Sequence, residues 1–406
     1  MAGDTTNYPD SNIYRYKVTA KFILDGEVYD FETYNIKSVV IDNDYDANNM
    51  PLVYLTASID RKVIDLMVQN QDTGKIILDI KRCVVNSDMP DLYEDYIVND
   101  FVYFISNDIN KNDEQDFEGQ NEGREDLFKI TTLGLMCIEH LNNNKRVING
   151  IITGKLSSIM YYLVSHMKCV VEPPSTNKMM KQMILPPIYS VSKSLEYVNS
   201  LHTYYDTGYR YYMDFDCTYL ISRSGKAVPK KGESITKVLI TLKASYDERS
   251  KLQGMLADET NSMYQLEIDS LDCEISDTYL SDKSYTKIKA TNTSGESNDV
   301  ELSEEIIGDI INKKNKHIRI INDNDTLLDN MKAKLDTSAV QLVVQKTDID
   351  PSVLTINKEY TVKADEVYKT DEYNGTYLVT RKRELLIRED EDFRMATMLL
   401  MKKIQE

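Results

Sequence analysis

Asp214 and Asp216 are the two residues best placed for chemistry. They flank Phe215 in a run where Tyr209, Tyr211, Met213, Phe215, Cys217, Tyr219 and Ile221 alternate with Arg210, Tyr212, Asp214, Asp216, Thr218 and Leu220. Such alternation predicts a single strand, and residues two apart on a strand share one face, ~7 Å from each other. Two carboxyls at that separation can act as acid and nucleophile, or acid and base, on a glycosidic bond. Against this, the chain holds 66 Asp and Glu, so acid pairs arise by chance at every spacing. It also has no Trp, the usual platform for a sugar ring, although its 28 Tyr could substitute in part. A solvated or interface face of that strand is the preferred reading of the pair, and no catalytic residue is assigned.

Other motifs fall away more quickly. Asp42, Asp44 and Asp46 begin like a calcium loop, but Ala47 stands where Gly is needed and Val53 where the bidentate Glu belongs. An Asx-rich turn is the expectation. Asp323 and Asp325 fail in the same way, with Lys334 at the twelfth position. The four histidines, His140, His166, His202 and His317, show no metal-binding spacing and are expected at the surface or half-buried. Cys83, Cys137, Cys169, Cys217 and Cys273 are scattered and odd in number, which predicts reduced, inert thiols. Nucleophile elbows, Walker loops and dinucleotide fingerprints are absent, so no cofactor and no metal are expected.

Composition narrows the partners. Of 406 residues, 41% are hydrophobic and 28% charged, as in ordinary globular domains, and length alone suggests two or three of them. The net charge of −18 argues against specific nucleic-acid binding, which needs a basic footprint. The polar start Met1-Ala2-Gly3-Asp4 lacks the pattern of a secretory signal, and the apolar stretch 150–171 is interrupted by Lys155, Ser157, Ser158, His166 and Lys168. No membrane partner is expected, and assembly in a reducing cytoplasm is.

The elements that must position any site follow from periodicity. Tyr14, Tyr16, Val18, Ala20, Phe22 and Leu24 alternate with Arg15, Lys17, Thr19 and Lys21, and Asp25-Gly26 then suits a tight hairpin turn. Further strands are expected over 36–41, 52–59, 76–80 and 96–105, enough for a small antiparallel barrel or sandwich. A polar, exposed loop or linker is expected over 107–126. Leu156, Ile159, Met160, Leu163, Val164 and Met167 trace a helical stripe. A weaker helix is expected over 131–141 and another over 190–204. Strands are expected over 235–245 and 265–275, a helix from Ser303 through Ile306, Ile307, Ile310 and Ile311, and strands over 341–345, 360–364, 377–381, 384–387 and 393–400. Asn374-Gly375 is the strongest hairpin signal. The fold class is α+β, mainly β.

The middle of the chain carries a resemblance. Ile184-Leu185-Pro186-Pro187-Ile188 precedes a helix through Leu195 and Tyr197, then Tyr204-Tyr205-Asp206-Thr207-Gly208-Tyr209, then Met213-Asp214-Phe215-Asp216-Cys217-Thr218-Tyr219-Leu220. A Pro-Pro segment, a helix and a strand with an Asp-Phe…Tyr-Leu pattern recur in this order in baseplate hub proteins of long-tailed, contractile-type bacteriophages, and the chain is also similar to the hub part of type VI secretion spikes. Lys358 to Val362, Asn374 to Val379 and 393–401 look like that family's second barrel; the N-terminal strands, with the loop 42–49 and Pro51, look like its first. The resemblance implies two tube-like β-barrels, 1–106 and 311–406, joined by a helical or mixed insertion (107–190) and a mixed α/β domain (191–310). It implies a non-enzymatic homotrimer whose six barrels form a pseudo-sixfold ring, joining a hexameric tail tube protein to a trimeric central spike protein. Tape-measure and baseplate wedge proteins are further expected partners, the virion tail baseplate is the expected location, and an acidic lumen would let DNA pass. Two other functions remain open: a tail-associated glycan hydrolase using Asp214 and Asp216, and a tyrosine-rich receptor-binding or adhesion module.

Overall fold

A computed structural model of the chain describes residues 13–31, 33–85, 93–106, 128–187, 189–228, 236–241, 262–267, 270–275, 287–291, 297–301, 337–347, 354–363 and 374–404. The expected loop 107–126 and the expected helix from Ser303 lie outside these residues, as does His317.

Seven strands open the chain: β1 (Ile13–Leu24), β2 (Glu27–Phe31), β3 (Ile36–Asp44), β4 (Leu52–Asp60), β5 (Lys75–Val85), β6 (Tyr93–Ser106) and β7 (Phe128–Cys137), with α1 (Arg61–Gln69) between β4 and β5. In β1 the expected alternation holds. Tyr14, Tyr16, Val18, Ala20 and Phe22 are buried, while Arg15, Lys17, Thr19 and Lys21 are exposed. Asp25 and Gly26 take φ of 51° and 88°, and Leu24 pairs with Glu27, so this is the two-residue turn expected.

The middle holds α2 (Ile138–Lys145), β8 (Gly150–Lys155), α3 (Leu156–Val164), β9 (Cys169–Val171), β10 (Met179–Leu185), α4 (Val191–Leu201), β11 (Tyr209–Met213) and β12 (Thr218–Ser222). The helix expected over 131–141 is instead the end of β7 followed by α2. Leu133, Leu135 and Cys137 face one core with a period of two, while Thr132 faces Thr56 on the other side, and this reads as helical only if the strand polarity is ignored. In α3 the buried residues are Leu156, Ile159, Met160, Leu163 and Val164, as expected, but the helix stops before Met167. Ser190 caps α4 by accepting the Lys193 N–H.

Then come β13 (Thr236–Thr241), β14 (Ser262–Glu267), β15 (Ser270–Ile275), β16 (Lys287–Thr291), β17 (Ser297–Glu301), β18 (Thr337–Thr347), β19 (Glu359–Lys363), β20 (Gly375–Glu389) and β21 (Asp392–Ile404). The stretch 265–275, expected as one strand, is two. Asn374-Gly375 is not a two-residue turn: Val362 pairs with Gly375, so the connection is far longer.

The strands of both chain ends share one sheet. Following hydrogen-bonded neighbours gives the circuit β20-β3-β4-β7-β6-β5-β1-β21, which returns to β20; the β1–β21 step is a single pair, Tyr16 with Phe393. A second arc runs β14-β13-β19-β20-β21-β18-β15. The long β20–β21 hairpin serves both. On its outer edges, residues 375–377 of β20 pair with β19 and residues 381–387 with β3, while Phe393 of β21 pairs with β1 and residues 396–404 with β18. The exchange on β20 occurs at a bulge between Val379 and Arg381. Accordingly Leu386, Phe393 and Met395 enter one core with β1–β7, whereas Tyr377, Val379, Leu399 and Met401 enter a second with Tyr360 and Val362. A third core surrounds α3 and α4. Among the described residues no helix is long and apolar enough to cross a membrane.

Candidate functional site

The site lies where the β11–β12 hairpin meets this junction. The run expected as one strand is two strands joined by a turn at 214–217, closed by the Asp214 N–H donating to the Cys217 carbonyl at 3.0 Å. The alternation was deceptive because the hairpin is buried on both faces: Tyr211, Met213 and Leu220 enter the helical core, and Tyr212, Cys217, Tyr219 and Ile221 enter the core around Tyr360. A strand covered on both sides has no wet face for a period of two to report.

Charge fixes the hairpin in place. Asp44 folds the β3–β4 loop by accepting the Ala47 N–H at 2.9 Å and the Asp46 N–H at 3.2 Å, the expected Asx-rich turn. This aims Asp46 at the hairpin, where its carboxylate accepts from Arg210 at 3.0 Å and Arg223 at 2.9 Å. Burial alone would raise the Asp46 pKa, but the two guanidiniums outweigh it and hold the carboxyl below its ordinary range. The buried Arg210 also donates to the Val379 carbonyl at 2.8 Å, beside the β20 bulge. Arg381 grips Asp42 through two bonds, one of them at 2.7 Å. The Met213 N–H reaches the Asn49 carbonyl and the Tyr212 hydroxyl reaches Asn43 Oδ1.

Beneath the turn is a cavity of about 290 Å³, whose lining includes Tyr96, Asn99, Asp214, Asp216, Lys382 and Glu384. Lys382 and Glu384 form an ion pair of 2.8 Å with side chains only 6% and 1% exposed. The Tyr96 hydroxyl donates to the same Glu384 oxygen at 3.0 Å. Burial opposes the Lys382 charge, but Glu384 and Asp214 more than restore it and the pKa ends above the ordinary value. Burial pushes the Asp214 carboxyl up to about 6; Lys382 pulls the other way, and Asp216 and Glu384 add to the rise. Asp216 is exposed and accepts the Tyr219 hydroxyl at 3.2 Å. The structure thus brings both acids to one cavity, but on a turn and beside a buried ion pair that the sequence reading missed. Lys382 and Glu384 belong to the run Arg381-Lys382-Arg383-Glu384, and four consecutive charged residues look like a solvated strand.

The remaining sequence candidates take structural positions. His140 is buried, with its ring 5.6 Å from that of Phe215, and burial pushes its pKa down to about 4. Half-buried His166 and His202 are pushed down too, chiefly by burial. Cys83, Cys137, Cys169 and Cys217 are not joined in disulfides. Among the described residues no group of three or more His, Cys, Asp or Glu could hold a metal ion.

Solved structures similar to this chain include the tail protein of Neisseria meningitidis MC58, at 10% identity and a TM-score of 0.47, covering 95% of this chain and 96% of that one. The 43 kDa tail protein of prophage MuSo2 from Shewanella oneidensis aligns at 10% identity and 0.45, covering 94% and 96%. The E. coli c3393 protein, described as a type VI secretion component similar in structure to the T4 bacteriophage tail proteins gp27 and gp5, aligns at 8% and 0.39, covering 92% and 74%. No curated protein matches the sequence. The family model of the bacteriophage PBS1 gene 109 protein matches residues 12–404, which takes in every strand and helix given above, and the chain belongs to that family.

Proposed function

We propose that the chain is a structural hub of a phage-type tail baseplate, acting as a homotrimer that joins the tail tube protein to the central spike protein, with tape-measure and wedge proteins as neighbours. Membership of a bacteriophage family supports the virion setting. The observation that carries the hub reading is the β20–β21 hairpin, whose two halves belong to two different strand groups with separate cores. In this reading the eight-strand circuit and the seven-strand arc are two tube-like barrels fused through one hairpin. Segments 1–106 and 311–406 supply most of their strands, while 107–190 adds β7 to the circuit and 191–310 adds β13, β14 and β15 to the arc. Three copies then present six such units, which matches sixfold symmetry on one face and threefold on the other. The −18 charge of each copy suits a lumen that does not hold DNA.

Cryo-electron microscopy of purified virions is the test: three copies on the tail axis at the tube–spike junction are expected, and a peripheral position would overturn the assignment. One observation favours a second reading, a glycan hydrolase: an elevated carboxyl, Asp214, shares a cavity with the exposed Asp216. The hub reading expects no reducing sugar from host cell walls. Turnover that disappears in Asp214→Asn/Asp216→Asn would replace it.

A further inference from the structure

We propose that the outward face of the β8–β10 sheet seats a second copy of this chain, which docks there through the acidic turn of its β20–β21 hairpin. Register identifies the face. Ile151 and Ile184 are direct cross-strand partners and are 63% and 59% exposed. Met183 and Leu185, on either side of Ile184, are buried in the core around α3 and α4, so Ile184 points the other way. Met179, 70% exposed, points away from that core for the same reason, since Met180 is buried in it. Among the described residues β8 and β10 pair only with each other. An apolar face and two strand edges are therefore left open, features that sheets ordinarily cover by association.

Charge selects the occupant. Between Ile138 and Leu201 the chain has seven Lys and Arg against three Glu and no Asp, a local excess of +4 in a chain of −18. Two of those Glu are engaged: Glu172 accepts from the Ser222 N–H and hydroxyl, and Glu196 from Lys193. Lys155, which opposes Met179, is exposed, as are Lys178 and Lys181, and none of the three makes an ion pair with a described residue. Packing this face against the same face of another copy would set lysine against lysine. The contact is therefore head-to-tail, and its other side is acidic and partly apolar.

The turn joining β20 to β21 meets both demands. It reads Glu389-Asp390-Glu391-Asp392, with Glu389 opposite Asp392. Arg394 holds Glu389 at 2.9 Å and Arg15 holds Asp392 at 3.6 Å. Asp390 and Glu391 are exposed and make no ion pair with a described residue. Apolar surface lies beside them: Ile387 is 49% exposed and Tyr34 59%, and Arg388 ties the two segments together by donating to the Tyr34 carbonyl.

Each copy thus offers a basic socket with an isoleucine pair at its centre and an acidic plug with an isoleucine and a tyrosine at its side. Free amines meet free carboxylates, and apolar surface meets apolar surface. A head-to-tail contact closes into a ring when its rotation allows. That the ring has three members rests on the hub reading; the match between the two surfaces does not.

The test uses the full-length chain, mixed from unlabelled and nitrogen-15-labelled protein and treated with a carbodiimide, which joins a lysine amine directly to a carboxylate. Mass spectrometry should find mixed-isotope links from Lys155, Lys178 or Lys181 to Asp390 or Glu391, and sedimentation velocity should find a trimer. Ile151→Asp/Ile184→Asp should weaken association at least about tenfold and remove those links. Both positions are exposed, so circular dichroism should show the variant folded; Lys178→Glu/Lys181→Glu, which alters only exposed charge, should have the same effect. A monomeric parent, a symmetric dimer, a trimer that survives both variants, or mixed-isotope links confined to other residues would each overturn the proposal. Flotation of a monomeric parent on phosphatidylglycerol vesicles that is lost in Ile151→Asp/Ile184→Asp would assign the face to a membrane instead. Position in virions is a separate measurement: an axial trimer without these links removes this contact alone, and a peripheral position removes the hub reading.

Discussion

At the scale of single residues, Lys382 and Glu384 make the strongest commitment. Each is buried against the other, and removing one strands a charge in a poorly solvated place. Lys382→Met should therefore cost about 3–5 kcal/mol in denaturant unfolding. The double variant Lys382→Met/Glu384→Leu should recover most of that loss; if it is no better than the single, the pair is not the source of the effect. Asp214 and His140 make opposite claims on pH. The Asp214 pKa is raised to about 6 in the folded state, so its contribution is present in acid and lost as pH rises through about 6. His140 is lowered to about 4, so its contribution is present at neutral pH and lost as pH falls toward 4. The two nearly cancel between pH 4 and 6.5. Asp214→Asn should expose the His140 term: relative to the parent it should gain up to about 3 kcal/mol between pH 4 and 7. A stability difference flat in pH would show that Asp214 is not held neutral by burial.

At the scale of elements, the β11–β12 hairpin is fixed to the β3–β4 loop and β20 by Arg210 and Asp46. Arg210 forks between the Asp46 carboxylate and the Val379 carbonyl, a geometry that a lysine ammonium cannot reproduce. Asp46→Asn should release the hairpin and Arg210→Lys should not preserve it. Hydrogen exchange should show both as faster exchange confined to β11, β12 and their partners, and unchanged protection would remove Asp46 from that role. The same hairpin shows where the sequence was legible. Elements with one wet face, such as β1 with its Asp25-Gly26 turn, or α3 with its five buried positions, could be read from periodicity alone. Where both faces are buried, as in Tyr209–Met213 and Thr218–Ser222, alternation carried no orientation and concealed a turn. Asp214 and Asp216 were visible as a pair, but Tyr96, Lys382 and Glu384 come from distant strands, Tyr96 and Glu384 being themselves 288 residues apart. Only long-range register brings them together: Lys382 opposes Asn43 and Glu384 opposes Ile41 across β20 and β3.

At the scale of the whole molecule, the shared hairpin makes a thermodynamic claim. Two strand groups with separate cores would ordinarily be free to unfold one at a time. Here Leu386 belongs to the first core and Leu399 to the second, yet both lie on one continuous hairpin. Leu399 pairs with Lys382, four residues from Leu386, so the two leucines sit roughly 13 Å apart along the strands. That is beyond the range at which truncations usually interact. Leu386→Ala and Leu399→Ala should each cost about 2–5 kcal/mol, with costs that add within about 0.5 kcal/mol in the double variant. If melting the hairpin in one core removes the edge that the other core needs, both substitutions must lower the same calorimetric transition and leave it single. Two transitions, each answering to only one leucine, would mean that the halves fold independently. The hairpin would then be a tether, and the rigid coupling of two tube-like units on which the hub reading depends would be lost.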